Sequence, residues 1–300
     1  MGGARSRARG NYKFYEHYSY YVPAVQDMFI LLGWLLVGAL AGNIVSLLFG
    51  LAGSMENAVE YSMLVSYPIM FIPGMIYASA KSHSASYNSK GFLLDSKHFG
   101  DKGGLVCALV VSVLTLALNF CADAIGSLLS PMPEYLENIL KGLTQGNVLF
   151  SLISVSIFAP FFEEWLCRGM ILRGLLNRGM KPVWAIVVSA VFFAVIHMNP
   201  WQAVPAFILG AAFGYVYYKT GSLKLTMLMH CVNNTLSVIL SNIDSLKDAE
   251  TWNEILPTQA YWIVLVACIM LVVLGYLFFR RIQPVRASGS CDEVKPLFQD

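Results

Sequence analysis

The stretch NVLFSLISVSIFAPFFEEWLCR, residues 147–168, decides the fold and raises a question about function. It is long enough to cross a bilayer, because a span needs about 20 mostly apolar residues. It ends, however, in two adjacent carboxylates, Glu163 and Glu164, and a cation, Arg168. A bare charge at the centre of a bilayer costs on the order of 3 kcal/mol on insertion scales. The three charges therefore indicate pairing with one another, chemistry, or a position at the end of the span.

The composition of the whole chain is typical of a membrane protein. Of the 300 residues, 57% are hydrophobic and 13% are charged, whereas soluble domains carry about 25% charged residues. The net charge of +2 and the scatter of the basic residues give no reason to expect nucleic acid as a partner. The six cysteines are also scattered, so neither a disulfide framework nor a zinc cluster is predicted.

Apolar segments predict an all-α polytopic membrane protein with about eight transmembrane helices in the lipid bilayer. The segments are approximately 28–52, 62–80, 104–129, 147–168, 183–199, 201–218, 225–241 and 259–280. If the N-terminus is cytoplasmic, only Lys141, Arg168 and Lys247 of the 20 Lys and Arg residues lie outside the cytoplasmic segments. The positive-inside rule therefore predicts that both termini are cytoplasmic. A multi-pass protein of the plasma membrane is expected, or of the cell inner membrane if the host is bacterial.

Helical geometry separates the two glutamates. Glu164 and Arg168 are four residues apart, so they lie on one helix face and are predicted to form an ion pair. Glu163 is turned by about 100° from Glu164 and has no cation on its own helix. A carboxylate that has no cation beside it and lies in an apolar stretch is suited to act as a general base or acid. The alternative is that both glutamates lie in headgroup water at the cytoplasmic end of the span.

Two other predicted spans carry polar pairs. FAVIH, residues 193–197, places Phe193 and His197 one turn apart, and HCVNN, residues 230–234, does the same for His230 and Asn234. A single membrane histidine is more often a hydrogen-bonding residue between helices. Polar groups at this depth normally face the bundle interior or a water-filled cavity. In one cavity with Glu163, they would provide the base, the second proton-handling group and the donors that amide hydrolysis needs.

The three motifs, E-E-x-x-x-R, F-x-x-x-H and H-x-x-x-N, occur in this order on successive predicted helices. Together they resemble the CAAX-protease and bacteriocin-processing family of intramembrane glutamic endopeptidases, which includes the type II CAAX prenyl endopeptidases and the bacterial Abi proteins. The resemblance implies a catalytic core at 146–241. Residues 1–145 then form an N-terminal region with three transmembrane helices and an interfacial helix. Residues 242–300 form an acidic outer loop, the last transmembrane helix and a cytoplasmic tail.

The resemblance also implies a role for each motif residue. Glu163, assisted by His197, would activate the attacking water, and His230 and Asn234 would stabilise the oxyanion. Supporting roles fall to the ion pair and to the packing partner of His197, namely Glu164, Arg168 and Phe193. No cofactor is implied. The expected partner is a membrane-associated protein or peptide substrate, and for CAAX processing this substrate is prenylated.

The sequence is also compatible with other functions. A zinc-dependent version of the protease would use Glu163, His197 and His230 as ligands and leave a fourth position open. A non-catalytic membrane scaffold or a bacteriocin self-immunity factor would keep the polar residues for structure, and a transporter would use them as a proton relay. The chain has no H-E-x-x-H and no G-x-S-x-G motif, so the corresponding zinc and serine protease classes are not indicated.

Overall fold

A computed structural model describes residues 14–52, 55–89, 91–145, 147–247, 249, 251–284 and 293–294. The helices in these residues are a 3₁₀ helix at Phe14–Tyr18, α1 Val25–Ala52, α2 Met55–Ala85, α3 Gly104–Gly126, α4 Glu134–Thr144, α5 Val148–Asn177, α6 Pro182–Val195, α7 Pro200–Thr220, α8 Leu223–Ser241, α9 Trp252–Ile255 and α10 Thr258–Arg280. Two short strands, β1 Gly91–Phe92 and β2 Glu293–Val294, pair antiparallel. Apart from β2, the predicted cytoplasmic ends at 1–13 and 285–300 lie outside the described residues.

The predicted all-α membrane architecture is confirmed. Among the described residues, six helices are long and apolar enough to cross a membrane, namely α1, α2, α3, α5, α8 and α10. The other two predicted spans correspond to α6, which is apolar but has 14 residues, and to α7. A helix is therefore present at each predicted position, while the count of eight spans stays a prediction. The predicted interfacial helix is present as α4, and its place at the membrane interface stays a prediction too.

The helix that carries the glutamates, α5, is not a regular α-helix. It has π-helical turns at Leu152–Phe158 and Trp165–Leu172, with the α-helical segment Ala159–Glu164 between them. Pro160 lies at the beginning of this middle segment, where it cannot donate a helical hydrogen bond. Because π-helical turns occur frequently at functional sites, the part of α5 around Glu163 is a candidate site on backbone grounds alone.

Helices α1 and α2 approach closely at two glycines. Gly38 and Gly42 form a G-x-x-x-G pair that faces Met70 and Ser66 of α2. A Cβ atom at Gly38 would collide with the carbonyl oxygen of Met70, and one at Gly42 would lie 2.8 Å from that of Ser66. Small residues at this spacing allow transmembrane backbones to come close together. The packing fixes the turn of α2 that carries Tyr67.

One buried arginine attaches the segment before α1 to α5. Arg173 is inaccessible to solvent, and each of its five guanidinium N–H groups donates to a backbone carbonyl. The acceptors, at 2.5–3.2 Å, are the carbonyls of Gly169, Ser19, Phe92, Tyr18 and Tyr21. A Cβ atom at Gly174 would lie 2.5 Å from the carbonyl oxygen of Pro23. The segment 14–23 can therefore lie this close to α5 only because residue 174 is glycine.

Aromatic residues of the segment 14–23 extend this packing toward α8. The ring of Tyr18 meets that of Trp165 edge-on at 5.2 Å, and the hydroxyl of Tyr15 donates to the sulfur of Met227 at 3.5 Å. Burial raises the pKa of both tyrosines to about 12, with Asp95 adding to the effect at Tyr15. Both hydroxyls are therefore neutral at physiological pH, so that of Tyr15 keeps the proton that it donates to Met227.

The apolar interior consists of two clusters with a polar site between them. The larger cluster surrounds α5 and includes Trp165 and Phe193. The smaller cluster lies between α3, α7 and α8 and includes Phe213 and Met229. The guanidinium of Arg168 lies 4.5 Å from the ring of Phe193 and 5.4 Å from that of Phe213. The charged residues are thus enclosed at the boundary of the two clusters.

Candidate active site

The predicted ion pair between Glu164 and Arg168 is present and fully buried. Nη1 of Arg168 donates to Oε1 of Glu164 at 2.7 Å, and neither side chain is accessible to solvent. Nη2 of Arg168 donates to the carbonyl of Gly210 at 2.9 Å. A buried ion pair is tolerated when such additional hydrogen bonds offset the cost of desolvation. Arg168 therefore neutralises Glu164 and leaves Glu163 to other partners.

The two carboxylate oxygens of Glu163 have different surroundings. The hydroxyl of Tyr67, on α2, donates to Oε1. Oε2 is buried, has no hydrogen-bond partner among the described residues, and lies 4.0 Å from Nε2 of His230. This separation is too long for a direct hydrogen bond. Because only 12% of the Glu163 side chain is exposed, the carboxylate lies inside the protein and not in headgroup water.

His230 lies between the two glutamates. Its Nδ1 is 3.1 Å from Oε1 of Glu164, and its Nε2 is directed toward Oε2 of Glu163. An ionised carboxylate can only accept a hydrogen bond, so in contact with an ionised Glu164 the Nδ1 atom carries a proton. The ring of Phe193 meets the imidazole edge-on at 5.4 Å. The histidine is therefore held by both a polar and an aromatic contact.

Asn234 of α8 belongs to a chain of hydrogen-bonded side chains. Its Nδ2 donates to the carbonyl of Val155 at 2.7 Å, and its Oδ1 accepts from Asn233 at 3.1 Å. Asn233 accepts from Asn119 of α3 at 3.0 Å, and Asn119 accepts from the indole of Trp252 at 3.2 Å. The orientation of the Asn234 amide is therefore fixed. An amide nitrogen has two protons, and this network uses one of them.

His197 lies two residues beyond the end of α6 and is connected to the cluster through Phe193. Its Nδ1 is 2.7 Å from the carbonyl oxygen of Phe193, and the two rings meet at 5.0 Å as predicted. The same phenyl ring contacts His230. Among the described residues, no hydrogen bond or ion pair joins His197 to Glu163 or Glu164. The assistance that His197 is expected to give to Glu163 stays a prediction.

The arrangement of these side chains gives no support to the zinc alternative. In the described part of the chain, no group of three His, Cys, Asp or Glu side chains is placed to hold a metal ion. A zinc site would need Glu163, His197 and His230 around a single ion, and these three side chains are not grouped in this way.

Sequence reasoning missed four side chains that contact the motif residues directly or through one another. They are Tyr67, Asn119, Asn233 and Trp252. One signal was available, because Asn233 and Asn234 are adjacent amides in a predominantly apolar helix. Tyr67 and Trp252 give no such signal, since aromatic residues are common in and beside membrane spans.

The fold and the site together define a class: a polytopic membrane protein with a buried cluster of glutamates, arginine, histidine and asparagine. Residues 145–236 match the family model described as type II CAAX prenyl endopeptidase Rce1-like. The segment that contains all three motifs is therefore an Rce1-like domain, and the resemblance to the CAAX-protease family is confirmed. At the level of the family, this match supports an intramembrane protease of the CAAX type.

The chain is also similar, over a limited part of its length, to one curated protein. An uncharacterized 24.3 kDa protein of Escherichia coli is 25% identical over 113 residues, which cover 36% of this chain and 52% of that protein. The chain therefore spans about half the length of this relative. No solved structure matches the chain significantly.

Proposed function

We propose that the protein is an intramembrane endopeptidase that hydrolyses a peptide bond with a water molecule activated by Glu163. The observation that carries the proposal is the buried Oε2 of Glu163, which faces Nε2 of His230 across 4.0 Å without a partner among the described residues. Buried carboxylate oxygens normally bond to protein or to ordered water. A single water molecule can bridge two atoms at this separation. The proposed nucleophile therefore lies between Glu163 and His230.

The reaction follows from this position of the water. Oε2 of Glu163 takes one proton from the water, while the oxygen of the water bonds to the carbonyl carbon of the substrate. The carbonyl oxygen then carries a negative charge. Glu163 returns the proton to the amide nitrogen, the C–N bond breaks, and an amine and a carboxylic acid are released. In this proposal His197 assists by orienting the water or the protonated carboxyl group.

His230 and Asn234, one turn apart on α8, are proposed to hold the oxyanion. Asn234 offers its second amide proton. The proposal requires a proton on both ring nitrogens of His230, since Nδ1 donates to Glu164 while Nε2 donates first to the water and then to the oxyanion. Preorganised donors of this kind are usually the largest single contribution to catalysis.

The family match supports a CAAX-type substrate for this site. Such a substrate has a prenylated cysteine near its C-terminus and is cut directly after that cysteine. We also propose that the protein lies in the plasma membrane with both termini in the cytoplasm. This placement fits the proposed substrate, because prenylated C-termini are attached to the cytoplasmic leaflet. The proposal is tested with the purified protein in lipid vesicles and a prenylated CAAX peptide, by measuring release of the C-terminal tripeptide.

Asn234→Ala should lower kcat by about 100- to 1000-fold, the usual effect of removing one oxyanion donor. KM should change much less, since the substrate binds before the oxyanion forms. Asn242→Ala is the matched control, because Asn242 lies two turns further along the same chain and bonds to the carbonyls of Thr144 and Val238. Equal values of kcat for the two variants would contradict the oxyanion role of Asn234.

Treatment with a strong chelator should leave the hydrolysis rate unchanged. The expectation follows from the side-chain placement, since no three His, Cys, Asp or Glu side chains of the described residues are grouped as metal ligands. The measurement is the rate before and after chelation and after addition of zinc. Activity that disappears with chelator and returns with zinc would replace the proposed mechanism by its zinc-dependent alternative.

A further inference from the structure

Helix α2 contributes a side chain to the site although it lies outside the Rce1-like domain at 145–236. Tyr67 is the residue, and its hydroxyl donates to Oε1 of Glu163, 96 residues further along the chain. The three motifs contain no tyrosine, so they do not assign this contact. The N-terminal region thus reaches the carboxylate on which the proposed reaction depends.

The hydrogen bond from Tyr67 determines which oxygen of Glu163 is available to water. The terminal torsion of a glutamate has a broad, two-fold distribution, so a free carboxylate could turn either oxygen toward His230. With Oε1 held by the tyrosine, only Oε2 faces Nε2 of His230. Geometry of this kind reduces the number of unproductive orientations before the reaction begins.

The tyrosine itself is held in place by its neighbours. Its ring lies 5.7 Å from that of Phe71, which stacks on Phe162 of α5 at 5.2 Å with an interplanar angle of 14°. Ser66 and Met70 flank Tyr67 on α2, and they are the residues against which Gly42 and Gly38 pack. The hydroxyl is therefore positioned by α1, α2 and α5 together.

We propose that Tyr67 is a positioning residue for Glu163 and that the active site extends onto α2. The proposal rests on the role of Glu163 as the base in the function proposed above. The hydroxyl donates to Oε1 and so leaves Oε2 as the oxygen that can accept a proton from water.

Tyr67→Phe tests the proposal, because it removes the hydroxyl and retains the ring contacts. We expect kcat to fall about 10- to 100-fold, which corresponds to the loss of one hydrogen bond to a charged group. KM should change by less than about twofold, since the hydroxyl contacts Glu163 and not the substrate. A purely structural role would lower stability and raise KM as well, instead of lowering kcat alone.

Tyr77→Phe is the matched control, on the same helix. Tyr77 packs its ring against Tyr21 and Trp34, away from the glutamates. This variant should keep the wild-type kcat and KM. A Tyr67→Phe variant that also kept both of them, in a protein where Glu163→Gln is inactive, would overturn the proposal and leave the protease function intact.

A spectroscopic measurement separates failure of this proposal from failure of the proposed function. The infrared carboxyl band of Glu163, identified by its loss in Glu163→Gln, should shift in Tyr67→Phe and not in Tyr77→Phe. This readout needs no substrate. If the wild-type protein showed no protease activity, the proposed function would fail, and an unshifted band would show independently that Tyr67 does not bond to Glu163.

Discussion

Glu163→Gln should lower kcat by about 100- to 10,000-fold, the range expected for loss of a general base. Glutamine has the same shape, and its side-chain oxygen can still accept the hydrogen bond from Tyr67. Its amide nitrogen cannot accept a proton from water, however, so the proposed first step is lost. The measurement is release of the C-terminal tripeptide from a prenylated peptide by protein reconstituted in vesicles, with folding checked by thermal stability.

Glu134→Gln is the control for this substitution. Glu134 lies in the first turn of α4, is exposed to solvent and is remote from the motifs in sequence. It should retain the wild-type kcat. If Glu163→Gln were as active as this control, the protease proposal would be wrong. A cellular function that survived Glu163→Gln would favour the scaffold or self-immunity alternative instead, because neither needs a base.

Local features of this protein could be predicted well from the sequence. The ion pair of Glu164 and Arg168 follows from four-residue spacing on one helix, and the structure contains it. Helix positions follow from apolar segments in the same way: the predicted span 104–129 corresponds to Gly104–Gly126, and 259–280 to Thr258–Arg280. In each case the interacting atoms lie within a few turns, so regular helix geometry is sufficient.

Contacts between distant parts of the chain could not be predicted in this way. Tyr67 and Glu163 are 96 residues apart, and no periodicity relates them. The positive-inside rule counts Arg173 as a cytoplasmic cation, because it follows the predicted span 147–168. In the structure it is buried against backbone carbonyls more than 80 residues away, apart from that of Gly169. Backbone acceptors leave no trace in residue identity, so this role has no sequence signal.

The relative depth of Glu163 and His197 illustrates a third limit. Straight helices would separate the two residues by about 15 Å along the membrane normal. The structure departs from straight helices at both places. π-helical turns flank the middle segment of α5, and α6 ends at Val195, before His197. Met198 then adopts a left-handed conformation with φ of 55°, which reverses the chain into α7. Irregular backbone of this kind cannot be read from apolar periodicity.

Arg173→Met should lower the free energy of unfolding more than Glu163→Gln, Tyr67→Phe or Asn234→Ala. Methionine has similar length but no donor, so five carbonyl oxygens each lose an N–H partner. The carbonyls of Ser19 and Tyr18 keep a backbone donor, from Phe92 and Tyr21 respectively. Each buried acceptor left without a partner costs about 1–3 kcal/mol, which is a large share of the stability of a typical domain, about 5–15 kcal/mol. We therefore expect little folded protein after purification in detergent, measured by size-exclusion chromatography and thermal unfolding.

Arg173→Lys and Arg178→Met show whether geometry or charge is responsible. A lysine keeps the positive charge but has three donors on one atom, whereas the guanidinium presents five in a fixed plane. Arg173→Lys should therefore be less stable than wild type and more stable than Arg173→Met. Arg178 is exposed and donates to the carbonyl of Val22 at 2.9 Å, so Arg178→Met should unfold within a few degrees of wild type. If Arg173→Lys were as stable as wild type, the charge alone would be sufficient. The five-fold hydrogen bonding would then not be what attaches the segment 14–23 to α5.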